Sequence, residues 1–443
     1  MNHYRTIGKL LAVVVLLLAG LNAFAQTADP KNAVGAAEKA AVVEKIVELL
    51  NKNYVFPETA RQLEAMLREK MRKNEYQKIT DGPEFALRLT NDLQAVSNDR
   101  HLRVGYSPNV LPPDEGDLFN PPKDEIERIR REQARANFGV ARVEILRGNI
   151  GLIRFDYFTN PDWAGEVYTA AMNYVARTDA LIIDLRYNGG SMHPDAIPFL
   201  CSYFFDKSVH LNDIYWRPTD ETHQFWTYAQ VPGRRYADKP IYVLTSRRTF
   251  SGGEEITYDL KNLKRAVIVG ETTGGGANGG GDRRAGDHFT IFVPIGRAIS
   301  PVTKTNWEGT GVAPDVEVVS GKALYTAQLA ALAEIRKKAA LDDDRQWLDA
   351  VRTETEGKLK SFKKQTFRLK GFAAAQEVNL AGDFNGWSRR SLKMTRTTDG
   401  WTLDVELEPG RTEYKFVVDG RWIADPENPE TAGPNGNSVI WTN

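Results

Sequence analysis

"ALIIDLRYNGG", residues 180–190, decides how the middle of this chain folds. From Ala180 to Ile183 no polar residue interrupts it. A strand with one wet face alternates apolar with polar, whereas a strand covered on both faces reads as a continuous apolar run. "GNIGLIRF" (148–155), "PIYVLTS" (240–246) and "AVIVGET" (266–272) have the same texture. Segments with helical character separate them, at 164–176, 194–205 and 252–264. From about residue 138 this predicts an α/β core, a sheet with helices on both faces. "HFTIFVPIG" (288–296) and "VEVV" (316–319) read as further strands.

The flanks differ. Residues 38–96 repeat apolar positions at helical spacing: Val42, Ile46, Leu49 and Leu50, then Leu63, Met66, Leu67 and Met71. Residues 107–123 are proline-rich and predict a loop. Residues 321–365 read as charged helix. Beyond them come only short alternating strands and turns, such as "TFRLKG", "WTLDVELEPG" and "TEYKFVVDG", the pattern of a small β-sandwich.

The chain starts with a basic segment (Arg5, Lys9), an apolar run from Leu10 to Leu21, and Ala23-Phe24-Ala25. That is the order of a cleaved signal peptide, with the mature chain starting near Gln26. The apolar run is short for a membrane span. No cysteine stands at the cleavage region, so no lipid anchor is expected, and Cys201 alone excludes an internal disulfide. The 58 basic and 58 acidic residues balance, which argues against nucleic acid or an anionic membrane as partner. A periplasmic or secreted protein without a stable membrane anchor follows.

"VLTSRRTFSGGEEITYDLKNLKR" (243–265) carries the chemistry. Ser251 with Glu254 three residues on has the pattern of a capping box. The same place suits a nucleophile, because N–H groups and the positive end of the helix dipole meet there. A serine needs a base. Of the six histidines, His3 leaves with the signal peptide. His101, in the polar turn "SNDRHLRVGY", stands first, His193 second; His210, His223 and His288 read as structural. Asp99, Asp282, Asp287, Glu308 and Asp315 are candidates for the acid that orients the base, and spacing alone does not choose between them. The glycine-rich stretch 274–281 lacks the Gly-Lys-Ser/Thr ending of a phosphate cradle.

"NDRHLRVGY", "TDALIIDLRYNGG", "TSRRTFSGGEEITYDLKNLKRAVIVGETTGGGA" and "NWEGTGVAPDV" together resemble the S41 serine peptidases, in the branch with interphotoreceptor retinoid-binding-protein-like and tricorn-core-like domains. The resemblance covers roughly residues 38–335. It implies a ClpP/crotonase-like core, Ser251 as nucleophile, His101 as base and Glu308 as the orienting acid. It also implies Gly252, Gly189 and Gly190 as oxyanion donors, a peptide or unfolded protein as substrate, and assembly into oligomers. No lysine stands where a serine–lysine pair would need one, no PDZ-like insert is evident, and "GGGANGG" lacks a histidine often found in that loop. The chemistry requires no cofactor and no metal, and no Cys/His cluster suggests one. The retinoid-binding relatives imply the alternative, a non-catalytic protein that binds an apolar or carbohydrate ligand.

"VNLAGDFNGWS", "DGWTLDVELEPGRTEYKFVVDGRWIADPENP" and "GNSVIWTN" resemble the glycogen-binding domains of AMP-activated kinase and family 48 carbohydrate-binding modules. That implies an immunoglobulin-like (E-set) β-sandwich and an α-glucan ligand. Trp387 and Trp422 would be its aromatic platforms, Lys415 and Asn437 its polar contacts. Hydrophobic sealing of the sandwich explains the tryptophans equally well. The expected division is a signal peptide (1–25), an N-terminal helical region and linker (26–125), the core (126–335), a charged helical linker (336–365) and the β-sandwich (366–443).

Overall fold

The computed structural model describes residues 32–113 and 123–443. The expected signal peptide, with Arg5, Lys9, Ala23 to Ala25 and Gln26, lies outside the described residues, as do His3 and the later part of the proline-rich loop. Among the described residues no helix is long and apolar enough to cross a membrane.

The core is a six-stranded sheet. In spatial order its strands are Val316–Glu317, Val267–Gly270, Ile241–Thr245, Ala180–Asp184, Ile150–Phe155 and Val140–Leu146. All neighbours pair in parallel except the last two. The strands Ala180–Asp184 and Ile241–Thr245 are buried at every position, because both faces are covered. Helices Pro161–Val175 and Gly252–Asn262 pack Tyr168, Met172, Ile256 and Leu260 against Ile153, Ile183, Val243 and Ile268. On the opposite face, helices Ala323–Lys338 and Asp342–Ser361 bring Ala327, Ala331, Leu332, Leu348 and Val351 onto Ile150, Ile182, Leu244 and Val269. The segment expected as a charged linker is therefore a layer of the core. Its charges occupy the outer face and its few apolar residues the inner one.

Three N-terminal helices, Ala36–Asn53, Pro57–Arg72 and Gly82–Ser97, pack on a separate antiparallel sheet. It consists of Arg103–Tyr106, Phe289–Pro294 and Gly280–Arg284. The stretch "HFTIFVPIG" thus serves this sheet rather than the central one. Phe289, Ile291 and Val293 alternate inward onto Ile46, Leu50 and Phe85. A hairpin, His210–Trp216 and Glu221–Trp226, with Gly296–Ile299 on its edge, has no counterpart in the strand pattern read from the sequence.

The C-terminal part is sheet-rich. Lys363–Lys370 pairs with Gly400–Leu407, and Val378–Gly382 pairs with Gly410–Val418, which pairs with Asn437–Thr442. Phe367, Leu369, Val378, Leu380, Trp401 and Phe416 fill the space between the sheets.

Candidate active site

The site forms where adjacent parallel strands end. The loops after Ala180–Asp184 and Ile241–Thr245 leave the carboxyl edge of the sheet side by side, the usual place for a ligand crevice in a parallel sheet. They are tied together: Phe250 N–H donates to Asn188 O at 3.1 Å, Thr249 Oγ1 to Leu185 O at 2.8 Å, and Ser246 Oγ to Arg186 O at 2.5 Å.

Ser251 is the N-cap of helix Gly252–Asn262, with φ 52° and ψ −121°. A residue with a Cβ rarely adopts that backbone, and such strain persists only where the surroundings enforce it. Its hydroxyl makes no capping hydrogen bond. The capping is done by Glu254, whose carboxylate accepts from Ser251 N–H at 3.0 Å. Two glycines allow the close packing. A Cβ on Gly190 would lie 2.9 Å from Ser251 Cβ, and one on Gly252 would lie 2.7 Å from Ser191 N.

Glu254 does more than cap. Its fully buried carboxylate also accepts from Gly275 N–H at 2.6 Å, Gly276 N–H at 2.8 Å and the Thr273 hydroxyl. Burial pushes it up to about 7, against the pull of these four donors. One carboxylate thus joins the serine to the glycine-rich loop. A capping-box pattern was the only sequence signal for it.

His101 follows the left-handed Asn98 that ends helix Gly82–Ser97. Asp99 Oδ1 accepts from His101 N–H at 2.9 Å and shapes the turn. The imidazole is 4% exposed, between Phe250 (ring centroids 4.5 Å apart) and Phe292 (5.6 Å, stacked). Its Nδ1 lies 3.7 Å from Asp99 Oδ1 and has no hydrogen-bond partner. Ligand atoms of Asp99, His101 and Glu308 all fall within 4.8 Å of one another. Two carboxylates, not one, therefore face the histidine. Asp99 is fixed by Tyr54 Oη at 3.2 Å and Asn278 Nδ2 at 2.9 Å. Glu308 Oε2 accepts from Ala277 N–H at 2.6 Å, and Oε1 is buried without a partner. Burial, then the charge of Asp99, pushes Glu308 up to about 8. The same three residue types could hold a cation.

The other expected acids lie elsewhere. Asp282 faces Arg103, Asp287 pairs with Arg284, and Asp315 pairs with Lys261. His193 lies beside Asp195, His210 pairs with Asp213, His223 with Glu221, and His288 contacts Ser107 O. Among the described residues no hydrogen bond joins Ser251 Oγ to His101; the loop of one meets the other through Phe250. Of the three glycines expected as oxyanion donors, Gly189 donates to Asp156 O and Gly190 to Asn188 Oδ1. Gly252 N–H has no acceptor among the described residues, nor has Ser191 N–H beside it.

On the C-terminal part Trp387 and Trp422 come together, ring centroids 6.2 Å apart and tilted by 56°. Trp387 Nε1 donates to Asp383 at 3.1 Å, and Arg389 lies over the Trp422 ring at 5.2 Å. Lys415 donates to Asn435 O and Asn437 donates to Glu413 at 2.8 Å, on strands of the same sheet. The loop bearing Trp387 docks on the core. A Cβ on Gly386 would meet the Tyr187 ring at 2.6 Å and Arg248 Nη1 at 2.8 Å.

Residues 149–318 match peptidase family S41, and residues 36–138 match the N-terminal domain of that family in eukaryotic IRBP. Residues 366–442 match the glycogen recognition site of AMP-activated protein kinase. The chain thus joins an S41 peptidase region to an AMP-activated-kinase-type glycogen-binding module. The pig (Sus scrofa) 5'-AMP-activated protein kinase subunit beta-1 is 38% identical over 76 residues, 17% of this chain and 59% of that protein. Protein PTST homolog 2 of Arabidopsis thaliana is 42% identical over 69 residues, 15% of this chain and 13% of that one. The chain spans less than two thirds of the length of these relatives. Among solved structures, a lipoprotein from Streptococcus agalactiae is 15% identical, with TM-score 0.44, covering 67% of this chain and 96% of the other. The photosystem II D1 C-terminal processing protease is 17% identical, with TM-score 0.37, covering 64% and 94%.

Proposed function

We propose that this chain is an exported serine endopeptidase, with a core of ClpP/crotonase-like type, that acts on peptides or unfolded protein. Ser251 attacks the scissile carbonyl and His101 takes its proton. Glu308 orients the imidazole and stabilises the imidazolium, with Asp99 beside it. Gly252 N–H and the 189–191 loop hold the oxyanion, Ser191 N–H being the donor left free there. Water then releases the acyl-enzyme, without cofactor or metal. The observation that carries this is the strained Ser251 at a helix N-terminus, its neighbour Phe250 resting on a buried histidine flanked by two carboxylates.

The C-terminal module, an immunoglobulin-like sandwich from residue 366, tethers the enzyme to an α-glucan through Trp387 and Trp422. Flat aromatic faces suit the C–H face of a sugar.

A fluorophosphonate probe tests the chemistry. Labelling of the mature protein that persists in EDTA and vanishes in Ser251→Ala and His101→Ala is the expected result. The absent Ser251–His101 hydrogen bond favours a second reading, a binding protein on the same fold. A well-folded parent that takes no label would decide for it.

A further inference from the structure

A cavity of about 470 Å³ lies between the core and the C-terminal module. Arg100 and Arg247 reach it from the core, Arg390 and Ser391 from the module. Ser251, His101 and Glu308 do not line it. It backs onto their loops, through Arg100 next to His101 and Gly309 next to Glu308. Its size is that of a small-molecule site.

Its charges are not balanced. Arg100 Nη1 donates to Gly274 O at 2.6 Å and Arg390 Nη1 to Gln94 Oε1 at 2.8 Å, both neutral acceptors. Neither guanidinium has a carboxylate within ion-pair distance among the described residues. Arg247 reaches Glu271 only at 3.8 Å, and donates to Ser391 O at 3.3 Å. Glu317 is the other acid in the wall. Burial, then the neighbouring charge of Arg100, holds Arg390 below the usual arginine range. Glu377, the acid that offsets this, is itself paired with Lys393 at 3.2 Å.

Two guanidiniums that oppose each other without an anion favour one that both can grip. Each keeps most of its N–H donors, and a guanidinium fork matches phosphate oxygens two at a time. Ser391 Oγ accepts from Asn385 Nδ2 at 2.9 Å, so its own proton is free to donate. Donors converge from core and module, and a phosphate, with up to two negative charges and more acceptor oxygens, offsets two guanidiniums better than a singly charged carboxylate does.

We infer that this cavity binds a phosphate group, free or carried by a sugar, between Arg100 and Arg390. Bound there, the phosphate clamps the module onto the core behind the catalytic loops. The site is independent of peptidase activity and of glucan binding at Trp387.

Calorimetric titration and thermal melts of the full mature chain, with chloride holding ionic strength constant, test it. Inorganic phosphate should bind saturably and raise Tm, with affinity about tenfold weaker in Arg100→Ala and in Arg390→Ala, as loss of a charge-assisted hydrogen bond predicts. Both arginines keep solvent-exposed surface although the Arg390 guanidinium is partly desolvated in the cavity wall, so the melts also check that the variants fold, and Arg390→Lys should retain part of the binding. Tighter binding of glucose 6-phosphate assigns the phosphate to a sugar; equal binding assigns it to the free ion. No saturable response to either, an undiminished response in the double alanine variant, or equal affinity for glutarate would overturn the inference.

Discussion

Phe250 lays its ring against His101, with centroids 4.5 Å apart. The residue before the candidate nucleophile thus packs directly on the candidate base, with Phe292 stacked nearby. The ring is a direct contact between the imidazole and the serine loop.

Truncating that ring should damage catalysis more than stability, because Phe250 is only partly buried. Phe250→Ala should lower kcat/KM about a hundredfold, the cost of roughly 1 Å of misplacement, while Phe250→Leu keeps more. Peptide hydrolysis and a thermal melt of the same samples separate the two effects. Equal activity in parent and Phe250→Ala would remove the ring from the mechanism.

Ser251 holds a backbone that glycine adopts without strain. Ser251→Gly should abolish fluorophosphonate labelling and yet stabilise the fold, by about 1 kcal/mol. Chemical denaturation measures the second effect. Loss of stability would mean that the serine hydroxyl contributes to the fold.

Glu254→Gln leaves one acceptor oxygen where a carboxylate served four donors. The amide N–H₂ then faces backbone donors. A loss of roughly 2 kcal/mol or more is expected, since hydrogen bonds to a charged group are worth about 1.5–3 kcal/mol each. Labelling of Ser251 should fall with it. Urea unfolding with and without the substitution gives the number.

Glu308 is pushed up to about 8 and Glu254 to about 7, both above the ordinary value. A carboxyl whose folded pKa is raised binds its proton more tightly in the native state than in the unfolded one. Stability from these groups is therefore fully present below the ordinary value of 4.5, falls as pH rises above it, and is gone once pH passes about 7 to 8. The parent should lose stability over that window. Glu308→Gln, which mimics the protonated form, should flatten the profile. An unchanged slope would show that Glu308 is ionised throughout.

Trp387 and Trp422 are only partly buried, so replacing both with alanine should leave the melt near that of the parent. Retention on amylose should fall more than tenfold. Full retention would return the pair to a hydrophobic seal.

Much of this was legible along the chain. The uninterrupted apolar runs at 180–183 and 241–244 meant strands covered on both faces, and both are buried at every position. The apolar spacing in residues 38–96 meant helices, and three are there. The strand-turn-helix around Ser251 pointed to a helix N-terminus, and the serine is its N-cap. These are local patterns, imposed by the period of a strand or a helix on its own residues.

Folding in three dimensions settled the rest. Asp99 joined Glu308 at His101 because Tyr54 and Asn278, far apart in sequence, both hold it. The Gly189 and Gly190 N–H groups turned inward to Asp156 and Asn188, leaving Gly252 and Ser191 unsatisfied. The charged helix at 342–361 became a layer over the sheet, and Gly386 of the module came to rest on Tyr187 and Arg248. No residue spacing encodes such meetings. They follow from which surfaces remain to be buried, and which donors remain to be matched, once the local elements have formed.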